Sequence, residues 1–470
     1  MTGNDEGFEV IVVGAGLVGL AAAAFLAQHG VRVLAVDRHP ATSAHPKARL
    51  VNVRSMEIYR ALGVEEEVRA AGEPNSGFDI VDTLAGPLRS WIAAPADEVA
   101  AAGLSPTTPY SCDQQRLEPI LLRRARELGA TVAFGTSAEL VEIGSDDVTV
   151  ELSSDDRTRA VHSQFLVAAD GARSAVRDRL GITLRGEDVE GESVSSVFRA
   201  DLEPALRGRQ INAVMCRAAN AFLFARGNKD DRSWQLGTFL RPGWAELAPA
   251  ELGTRLTEVI RAATGLPDLR PVIEDTARWR TGAYVADRFR AGPVFLVGDA
   301  AHVMPPYGGF GGNTGVQDAH NLTWRLAAAC RREDDTEALL AGYETERRPV
   351  AELMVAQALL RSRKKPGQAP VPGEIDATTL VLGLRYGGPP EDPANPSGRP
   401  GTRAPHVLLR DGRSTLDLLR PTSFTVIDVE AIGPLVDPVH RARWDATYGS
   451  GPPVRPDGII GRSVSSMLFK

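Results

Sequence analysis

The segment VIVVGAGLVGLAAAAFLAQHG, residues 10–30, decides the fold of this chain. A short branched apolar run from residue 9 to residue 13 leads through a glycine-rich turn into an Ala- and Leu-rich stretch, residues 17–29, which closes at Gly30. Such a run is typical of a strand buried on both faces, and the following stretch is typical of a helix with a glycine C-cap. A second apolar run over residues 31–36 predicts the next strand, so we expect an α/β fold with a parallel sheet.

Within this segment, Gly14, Gly16 and Gly19 have the GxGxxG spacing of a Rossmann-like dinucleotide-binding turn. The first glycine permits the tight turn, the second lets the backbone approach a pyrophosphate, and the third allows close contact between helix and sheet. Asp37 ends the next strand about 20 residues on, where a carboxylate can accept hydrogen bonds from a ribose. Arg38 beside it either stacks on adenine or is an ordinary solvated arginine. The spacing predicts nucleotide binding but does not separate NAD from FAD.

Length and composition exclude several other classes of protein. A chain of 470 residues exceeds the size of one hydrophobic core, so two or three domains are expected. The formal net charge of -7 provides no basic surface for nucleic acid. The three cysteines are far apart, without the spacing of a disulfide framework or metal site, which predicts a cytoplasmic protein without a bound metal. Acidic residues before the first strand, and glycines within residues 10–27, argue against a membrane span.

Two later segments have the same organisation of an apolar strand that ends in an aspartate. LVAADGARSAVR, residues 166–177, turns at Asp170 and Gly171, and FLVGDAAHVMPPYGGFGGNTGVQDAHNLTWRLA, residues 295–327, turns at Gly298 and Asp299. In this order the three segments resemble the class A flavoprotein aromatic hydroxylases, the p-hydroxybenzoate hydroxylase family. The resemblance is greatest to bacterial hydroxylases of antibiotic biosynthesis that act on polycyclic aromatic polyketides.

The resemblance covers roughly residues 8 to 350 and implies a single-component monooxygenase. It implies non-covalent FAD, NAD(P)H as a transient co-substrate, dioxygen, and oxygen transfer to an aromatic ring through a C4a-hydroperoxyflavin. The substrate implied is a polycyclic polyketide or a phenol. The cofactor-binding residues that we predict are Gly14, Ala15, Gly16, Leu17, Gly19, Asp37, Arg38, Arg49, Gln114, Asp170, Gly171, Gly298, Asp299, Pro306, Gly311, Gly312 and Asn313.

The predicted organisation is a Rossmann-like FAD-binding domain with an inserted mixed β-sheet domain for the substrate. Pro and Gly cluster between residues 364 and 405, which is typical of a linker. The remaining tail resembles a shortened thioredoxin-like region. In residue numbers, the domains are 1–75, 110–185 and 285–363 for FAD, 76–109 and 186–284 for the substrate, 364–405 for the linker, and 406–470 for the tail.

An oxygen-transferring flavin needs a dry pocket, so apolar walls are expected from the inserted sheet. No residue stands out as the base that would deprotonate a phenol. His302, Asp318 and His320 are predicted to be structural. The pocket candidates are Met215, Phe222, Phe224, Trp234, Phe239, Trp279, Tyr284 and Pro306.

Other enzyme classes with related folds require sequence motifs of their own. A flavin halogenase would show a WxWxIP segment, and a pyridine-nucleotide oxidoreductase with its own NADPH domain would show a second strand–GxGxxG–helix unit; the sequence contains neither. Baeyer–Villiger oxygenation of a polyketide, and a non-catalytic protein that holds FAD or a polyketide, stay open. The expected partner is a small aromatic molecule, with the chain as a monomer or homodimer.

Overall fold

The structure is a computed structural model that describes residues 7–75, 77–93, 96–154, 157–226, 232–332, 335–364, 368–449 and 451–461. Residues 1–6 of the predicted FAD-binding domain, Ser76 of the predicted substrate domain and residues 462–470 of the predicted tail lie outside this description. The described residues contain no helix that is both long and apolar enough to cross a bilayer.

Strands and helices are numbered separately in chain order. The strands are β1 (Val10–Val13), β2 (Val33–Asp37), β3 (Leu50–Val51), β4 (Glu73–Pro74), β5 (Gly77–Val81), β6 (Leu88–Ala93), β7 (Tyr110–Ser111), β8 (Thr131–Phe134), β9 (Ser137–Ile143), β10 (Val148–Ser154), β11 (Arg157–Ser163), β12 (Phe165–Ala168), β13 (Leu184–Arg199), β14 (Ala213–Cys216), β15 (Ala221–Arg226), β16 (Ser233–Phe239), β17 (Val272–Ala286), β18 (Arg290–Ala291), β19 (Val294–Leu296), β20 (His302–Val303), β21 (Thr425–Val426) and β22 (Pro453–Val454). The helices are α1 (Leu17–Gln28), α2 (Val53–Leu62), α3 (Glu65–Ala71), α4 (Ala96–Ala101), α5 (Gln114–Glu127), α6 (Ala175–Arg179), α7 (Glu203–Leu206), α8 (Pro249–Thr264), α9 (Phe310–Cys330), α10 (Thr336–Ser362), α11 (Ala377–Leu382), α12 (Val429–Ile432) and α13 (Arg441–Thr447).

A six-stranded sheet of order β18–β19–β12–β1–β2–β8 carries the main core. Strands β19, β12, β1, β2 and β8 run parallel, and only β18 of this sheet is antiparallel to its neighbour. Helix α1 connects β1 to β2 and packs against α9 and α5. The predicted strand–helix–strand unit is therefore confirmed, with its two strands adjacent in parallel register.

Short alternating segments separated by Gly, Ser and Asp predict hairpins between residues 131 and 170, and these form only in part. Strands β9, β10 and β11 make a three-stranded antiparallel sheet, whereas β8 and β12 pair parallel with β2 and β1. All four residues of β12 are buried, which suits a central parallel strand and not a half-exposed hairpin.

A mixed eight-stranded sheet of order β20–β17–β13–β16–β15–β14–β5–β6 forms the second large layer. Helix α8 covers one face, where an apolar core includes Phe198, Leu223, Leu236 and Leu256. We call the other face the inward face, because its side chains contact the loop before β3 and the loop before α5. Gln235 Nε2 donates to the Pro46 carbonyl at 3.2 Å, and Arg226 Nε donates to Asp113 at 3.3 Å. These contacts fix the inward face against the six-stranded part of the molecule.

The sequence predicts Ser55 as the N-cap of a helix that runs to about Leu62, but helix α2 begins one turn earlier. Asn52 is the N-cap, and its side-chain oxygen accepts from the backbone N–H of Ser55 at 2.9 Å. Ser55, predicted as the cap, lies inside the first turn. Both side chains can cap a helix, so the sequence alone offers two starts.

Helix α9 begins at Phe310, whereas the glycine-rich sequence predicts a start near Gly315. Glycine has a low helix propensity, but packing overrides it here. A Cβ on Gly315 would lie 2.6 Å from Val18 Cγ2 and 2.9 Å from the Gly298 Cα. The glycines allow this buried helix to approach α1 and the turn after β19.

Residues 364–405, predicted as a linker, pack against the body where they are described. The first part of their apolar stretch TTLVLGLRY, residues 378–386, lies in α11, and Leu380 is fully buried with Phe310, Val350 and Met354. The Pro and Gly residues of this segment therefore form turns along the surface of the body, and the segment is not a free linker where it is described.

The last part of the chain has its own apolar core around Trp444 and Tyr448. Among the described residues beyond 405, only β21 and β22 pair as strands, and the other pairings are isolated bridges. Ion pairs join the tail and the end of the preceding segment to the body: Arg455 Nη1 contacts Glu346 at 2.6 Å and Arg403 Nε contacts Glu57 at 2.8 Å. Burial alone would raise the pKa of Glu57, but Arg403 and Arg54 outweigh it and hold that pKa below its usual range.

Candidate functional site

Three adjacent strands of the six-stranded sheet end side by side at one edge. The order β19–β12–β1 places the turns at Gly298, Asp170 and Gly14 next to one another, and all three strands point the same way. Backbone hydrogen bonds continue past the strand ends, from Ala169 N to Val13 O at 2.8 Å and from Val297 N to Ala168 O at 3.0 Å. In parallel sheets this edge is where ligands bind. We call the space bounded by these turns and the start of α9 the strand-end cleft.

The three glycines of the first turn differ in what surrounds them. Gly14 has a φ of 99°, and a Cβ there would lie 2.3 Å from the Ala169 carbonyl oxygen; a Cβ on Gly19 would lie 1.8 Å from the Gly14 oxygen. These two glycines are required by the protein itself. A Cβ on Gly16 would meet only Glu118 Oε1, at 3.6 Å. Gly16 is therefore the glycine that leaves room for an approaching group, and the N-terminus of α1 beside it suits an anion such as a pyrophosphate.

Asp37 lies beside this turn, as predicted, but part of its carboxylate is already engaged. Oδ2 accepts from the Ala15 N–H at 2.8 Å, and Oδ1 accepts from the His39 N–H at 2.9 Å. The two oxygens of a carboxylate offer about four acceptor positions, so capacity remains for a ribose hydroxyl. Arg38 is exposed at the surface next to it.

The second turn holds a polar atom that lacks a described partner. Asp170 Oδ2 accepts from the Val176 N–H at 3.2 Å, whereas its Oδ1 is buried without a hydrogen bond among the described residues. Gly171 follows with a φ of 84°. Buried Arg177 donates to the carbonyls of Ala172 at 3.1 Å and Ala300 at 3.2 Å, and so ties the second turn to the third.

Asp299 occupies the third turn, within a short 3-10 helix from Gly298 to Ala300. Its side chain is open to the strand-end cleft, yet the protein surrounds that cleft closely enough for desolvation to raise the pKa of its carboxyl. Lys47 and His302 act in the opposite direction and only partly offset the effect. A carboxylate held in such a cleft suits a contact with ligand hydroxyl groups.

A buried hydrogen-bond network, which the sequence did not predict, holds this third turn against α9 and α10. Asp318 is fully buried and accepts from Gly298 N–H at 3.2 Å, from His302 Nε2 at 2.6 Å and from Arg347 Nε at 2.7 Å. Desolvation alone would raise the pKa of Asp318, but Arg347 and His302 outweigh it and keep that pKa below its usual range. The structural roles predicted for His302 and Asp318 are confirmed. His320 is also structural: it packs edge-on against Phe25, and burial lowers its pKa to about 3.

The N-terminus of α9 closes another side of the strand-end cleft. Gly311 and Gly312 lie in its first turn, where backbone N–H groups have no acceptor within the helix. The Asn313 amide donates to the Leu50 and Gly309 carbonyls at 2.8 and 2.7 Å, which fixes this turn against β3. Free N–H groups and the helix dipole together make this turn a suitable neighbour for negative charge.

Arg49 and Gln114 line the same space as Leu17, Gly312 and Asn313. Gln114 Oε1 accepts from the Ala48 N–H at 3.1 Å, and its Nε2 donates to Glu118 at 2.6 Å. Pro306 is exposed ahead of α9. The structure thus brings most of the predicted cofactor residues to one cleft.

Arg49 also belongs to a charged cluster that the sequence did not predict. Its Nη1 contacts Asp113 at 2.8 Å and its Nη2 contacts Asn212 at 2.6 Å, while Arg226 reaches Asp113 from the inward face. These residues come from distant parts of the chain, so no local pattern could have shown the cluster.

The pocket candidates divide between the two faces of the eight-stranded sheet. Phe222 and Phe224 stack with ring centroids 5.9 Å apart on the inward face, and Met215 shares that face through its cross-strand partner Phe222. Phe239 and Trp279 share it as well, because both pair directly with Ser193.

Two candidates are corrected by the structure. Trp234 packs in the apolar core beneath α8, on the opposite face from Phe224 and the other inward aromatics. Tyr284 alternates with the core residues Ala283 and Val285 along β17, and its hydroxyl donates to Asp188 at 2.9 Å. Strand alternation sends every second side chain to the other face, and a sequence does not say which face a ligand uses.

Comparisons with known proteins agree with this geometry. A family model described as an FAD binding domain matches residues 7–358. The chain is 40% identical over 455 residues to 4-methyl-5-nitrocatechol 5-monooxygenase of a Burkholderia species, covering 89% of this chain and 82% of that protein. It is 37% identical to aklavinone 12-hydroxylase of Streptomyces peucetius, covering 87% and 89%. The crystal structure of aklavinone-11 hydroxylase with FAD and aklavinone superposes with a TM-score of 0.85 at 33% identity, covering 98% of this chain and 96% of the other.

Proposed function

Because this chain belongs to the family of FAD-dependent flavin hydroxylases, we propose that it inserts one oxygen atom of dioxygen into an electron-rich aromatic ring, with NAD(P)H as the electron donor. One observation carries the proposal. The ends of β1, β12 and β19 and the start of α9 surround a single cleft, and the inward face of the eight-stranded sheet presents stacked aromatic side chains. A cofactor cradle and an apolar substrate wall are the two parts that this reaction needs.

The residues of the strand-end cleft fit FAD. The turn around Gly16 would hold the pyrophosphate at the N-terminus of α1, Asp37 a ribose, and Asp299 the ribityl hydroxyls. When bound, FAD supplies the redox chemistry, since a flavin can take electrons from a nicotinamide and pass them to dioxygen. The first-turn N–H groups at Gly312 and Asn313, with the helix dipole, would stabilise negative charge near them by about 0.3 to 2 kcal/mol.

The inward face would exclude water from the reacting ring. Phe222 and Phe224 stack, and Phe78 contacts Phe222 edge-on at 5.5 Å, which leaves little polar surface in this part of the wall. A dry wall favours oxygen transfer over loss of the activated oxygen to water. Phenols are the proposed substrate class, because a nitrocatechol monooxygenase and polyketide hydroxylases are among the relatives. Baeyer–Villiger oxygenation of a polyketide is the second candidate reaction and would use the same FAD site and the same apolar wall.

We also propose that the eight-stranded sheet is an inserted substrate domain, with the boundaries predicted from the sequence. Its strands β13 to β17 lie between β12 and β19 of the six-stranded sheet along the chain, which supports the proposal. The tail from residue 406 would be a shortened thioredoxin-like region.

A substrate panel tests the proposal. The purified protein, loaded with FAD, is mixed with NADH or NADPH and with single-ring phenols, hydroxyanthraquinones, amines and sulfides. The expected result is faster consumption of the reduced nicotinamide with a phenol, together with a product that is heavier by one oxygen atom taken from isotopically labelled dioxygen. Oxygen gain on amines or sulfides alone would overturn aromatic hydroxylation, and a ketone converted to an ester would identify the Baeyer–Villiger outcome.

A further inference from the structure

Two aromatic side chains of the inward face are unusually open to solvent. Phe239 and Trp279 are 38% and 40% exposed. The other aromatic residues of this face cover one another, since Phe222 contacts both Phe224 and Phe78. Large aromatic groups left open on a face that borders a cleft are typical of ligand contacts.

The two exposed side chains lie on the same rung of the sheet. Both residues pair directly with Ser193 of the strand between them, Phe239 from β16 and Trp279 from β17. Cross-strand partners point to the same face, and neighbouring strands are about 4.8 Å apart. The two side chains therefore rise from the sheet about 9.6 Å apart, with one small residue between them.

This spacing suits a third aromatic ring between the first two. A ring midway between Phe239 and Trp279 would be about 4.8 Å from each, inside the range of roughly 4.5 to 7 Å over which aromatic rings pair favourably. Aromatic residues on directly adjacent strands would leave no room for a ring between them, and residues three strands apart would be too far from a ring placed midway.

The base of this space is polar. The hydroxyls of Ser193 and Thr281 lie 3.3 Å apart, and both residues are buried. Ser193 and Thr281 are thus small, buried residues between and beneath the two aromatic side chains, and neither projects as a large group between them.

The space also continues the proposed substrate wall. On β16, Gly237 lies two residues from Phe239 on the same face, and it pairs with Phe222 of β15. A Cβ on Gly237 would be 3.7 Å from the Phe224 ring, so the glycine leaves an uninterrupted surface from the Phe222–Phe224 stack toward Phe239. A ligand in contact with that stack could extend along the sheet to the second space.

We propose that Phe239 and Trp279 form a slot for a ring other than the one that is oxidised, and that this slot makes the enzyme select fused-ring phenols over single-ring phenols. The inference rests on the proposed function, because it concerns the same cleft. It also chooses between the two kinds of relative, since one acts on a nitrocatechol and others are named polyketide hydroxylases.

Binding constants for two ligands test the slot. Dissociation constants are measured from ligand-induced changes in the flavin absorbance of the FAD-loaded protein, with a hydroxyanthraquinone and with phenol. In Trp279→Ala and in Phe239→Ala, the ratio of the anthraquinone constant to the phenol constant should rise roughly threefold to tenfold, the loss expected for one aromatic pair. Trp279→Phe should retain most of the wild-type ratio.

The control is Trp234→Phe, which changes an aromatic residue on the opposite face and should leave the ratio at its wild-type value. Melting temperatures of all variants show that the fold is retained. An unchanged ratio in both alanine variants, or equal weakening of both ligands, would overturn the slot while the hydroxylase proposal stands. Selective binding of the anthraquinone without oxygen gain on any phenol would instead overturn the proposed reaction and leave the slot.

Discussion

Replacing Gly16 with Ala should separate cofactor binding from folding. The backbone at Gly16 has φ −81° and ψ −167°, an extended conformation that alanine adopts freely, and the new Cβ would have only Glu118 Oε1 nearby, at 3.6 Å. As an N-cap, alanine lowers the free energy of unfolding by up to about 1 kcal/mol relative to glycine. Alanine also reduces the conformational entropy of the unfolded chain, which raises the free energy of unfolding by about 0.4 to 1 kcal/mol. The stability of the apoprotein should therefore change by less than about 1 kcal/mol.

The loss of FAD affinity should be much larger. The added methyl group stands where a pyrophosphate would approach the backbone, so the charge-assisted hydrogen bonds from this turn would lengthen or break. Each such bond contributes about 1.5 to 3 kcal/mol, and loss of two would cost about 3 to 6 kcal/mol. That cost corresponds to a roughly hundredfold to ten-thousandfold higher dissociation constant for FAD.

The assay is a titration of deflavinated protein with FAD, followed by flavin fluorescence, beside a thermal melt of the same apoprotein by circular dichroism. Gly253→Ala in α8 is the matched control, because its Cβ would meet only Ile273 Cδ1 at 3.9 Å, far from the cleft. It should keep the wild-type affinity for FAD. Gly19→Ala should fail to fold, since its Cβ would lie 1.8 Å from the Gly14 oxygen. Wild-type FAD affinity in Gly16→Ala, or an unfolded Gly16→Ala apoprotein, would refute the reasoning.

Three further predictions concern stability and reactivity. Asp318→Asn leaves the buried Arg347 without its charged partner and should lower the free energy of unfolding by about 3 to 5 kcal/mol. For a chain of this length, the melting temperature should fall by roughly 3 to 5 °C. Glu127→Gln, in an exposed ion pair, should leave the melting temperature unchanged. Because the pKa of Asp318 is lowered in the fold, its stabilisation is complete above the ordinary carboxyl pKa and is lost as the pH falls through the folded value; the difference between wild type and variant should be constant from about pH 6 to 8 and shrink only in acid. Arg455→Met should loosen the tail and speed proteolysis within residues 387–401, while Arg363→Met, from an exposed ion pair, should not; equal rates would contradict the docking role of the buried pair. Burial raises the pKa of all three cysteine thiols to about 12, so a thiol reagent near pH 8 should label none in the native protein and all of them in denaturant, and rapid native labelling would show the burial to be wrong.

The nucleotide-binding core could be predicted from sequence because its signals are local. Gly14, Gly16 and Gly19 lie in one segment, and the strands on either side of α1 are apolar except for Asp37 at the end of the second. The start of α9 could not be predicted in the same way. Its glycines oppose helix formation locally, and only contact with Val18 and Gly298 explains them.

The substrate side was predicted less completely for two physical reasons. Alternation along β16 shows that Trp234 and Gln235 point to opposite faces, but the side on which α8 packs decides which of them is near the cleft. The ion pairs of Asp113 with Arg49 and Arg226 join three separate segments, and no periodicity relates such positions.

The charged contacts between tail and body have a consequence for synthesis of the chain. Until the segment with Arg403 and Arg455 has been synthesised, Glu57 and Glu346 lack these arginine partners, yet as charged groups they stay well hydrated. An incompletely synthesised chain would thus expose a charged, hydrated surface here, whereas an exposed apolar surface would favour aggregation. Synthesis of this segment then neutralises both carboxylates, so a chain terminated before it would present unpaired charge at this surface.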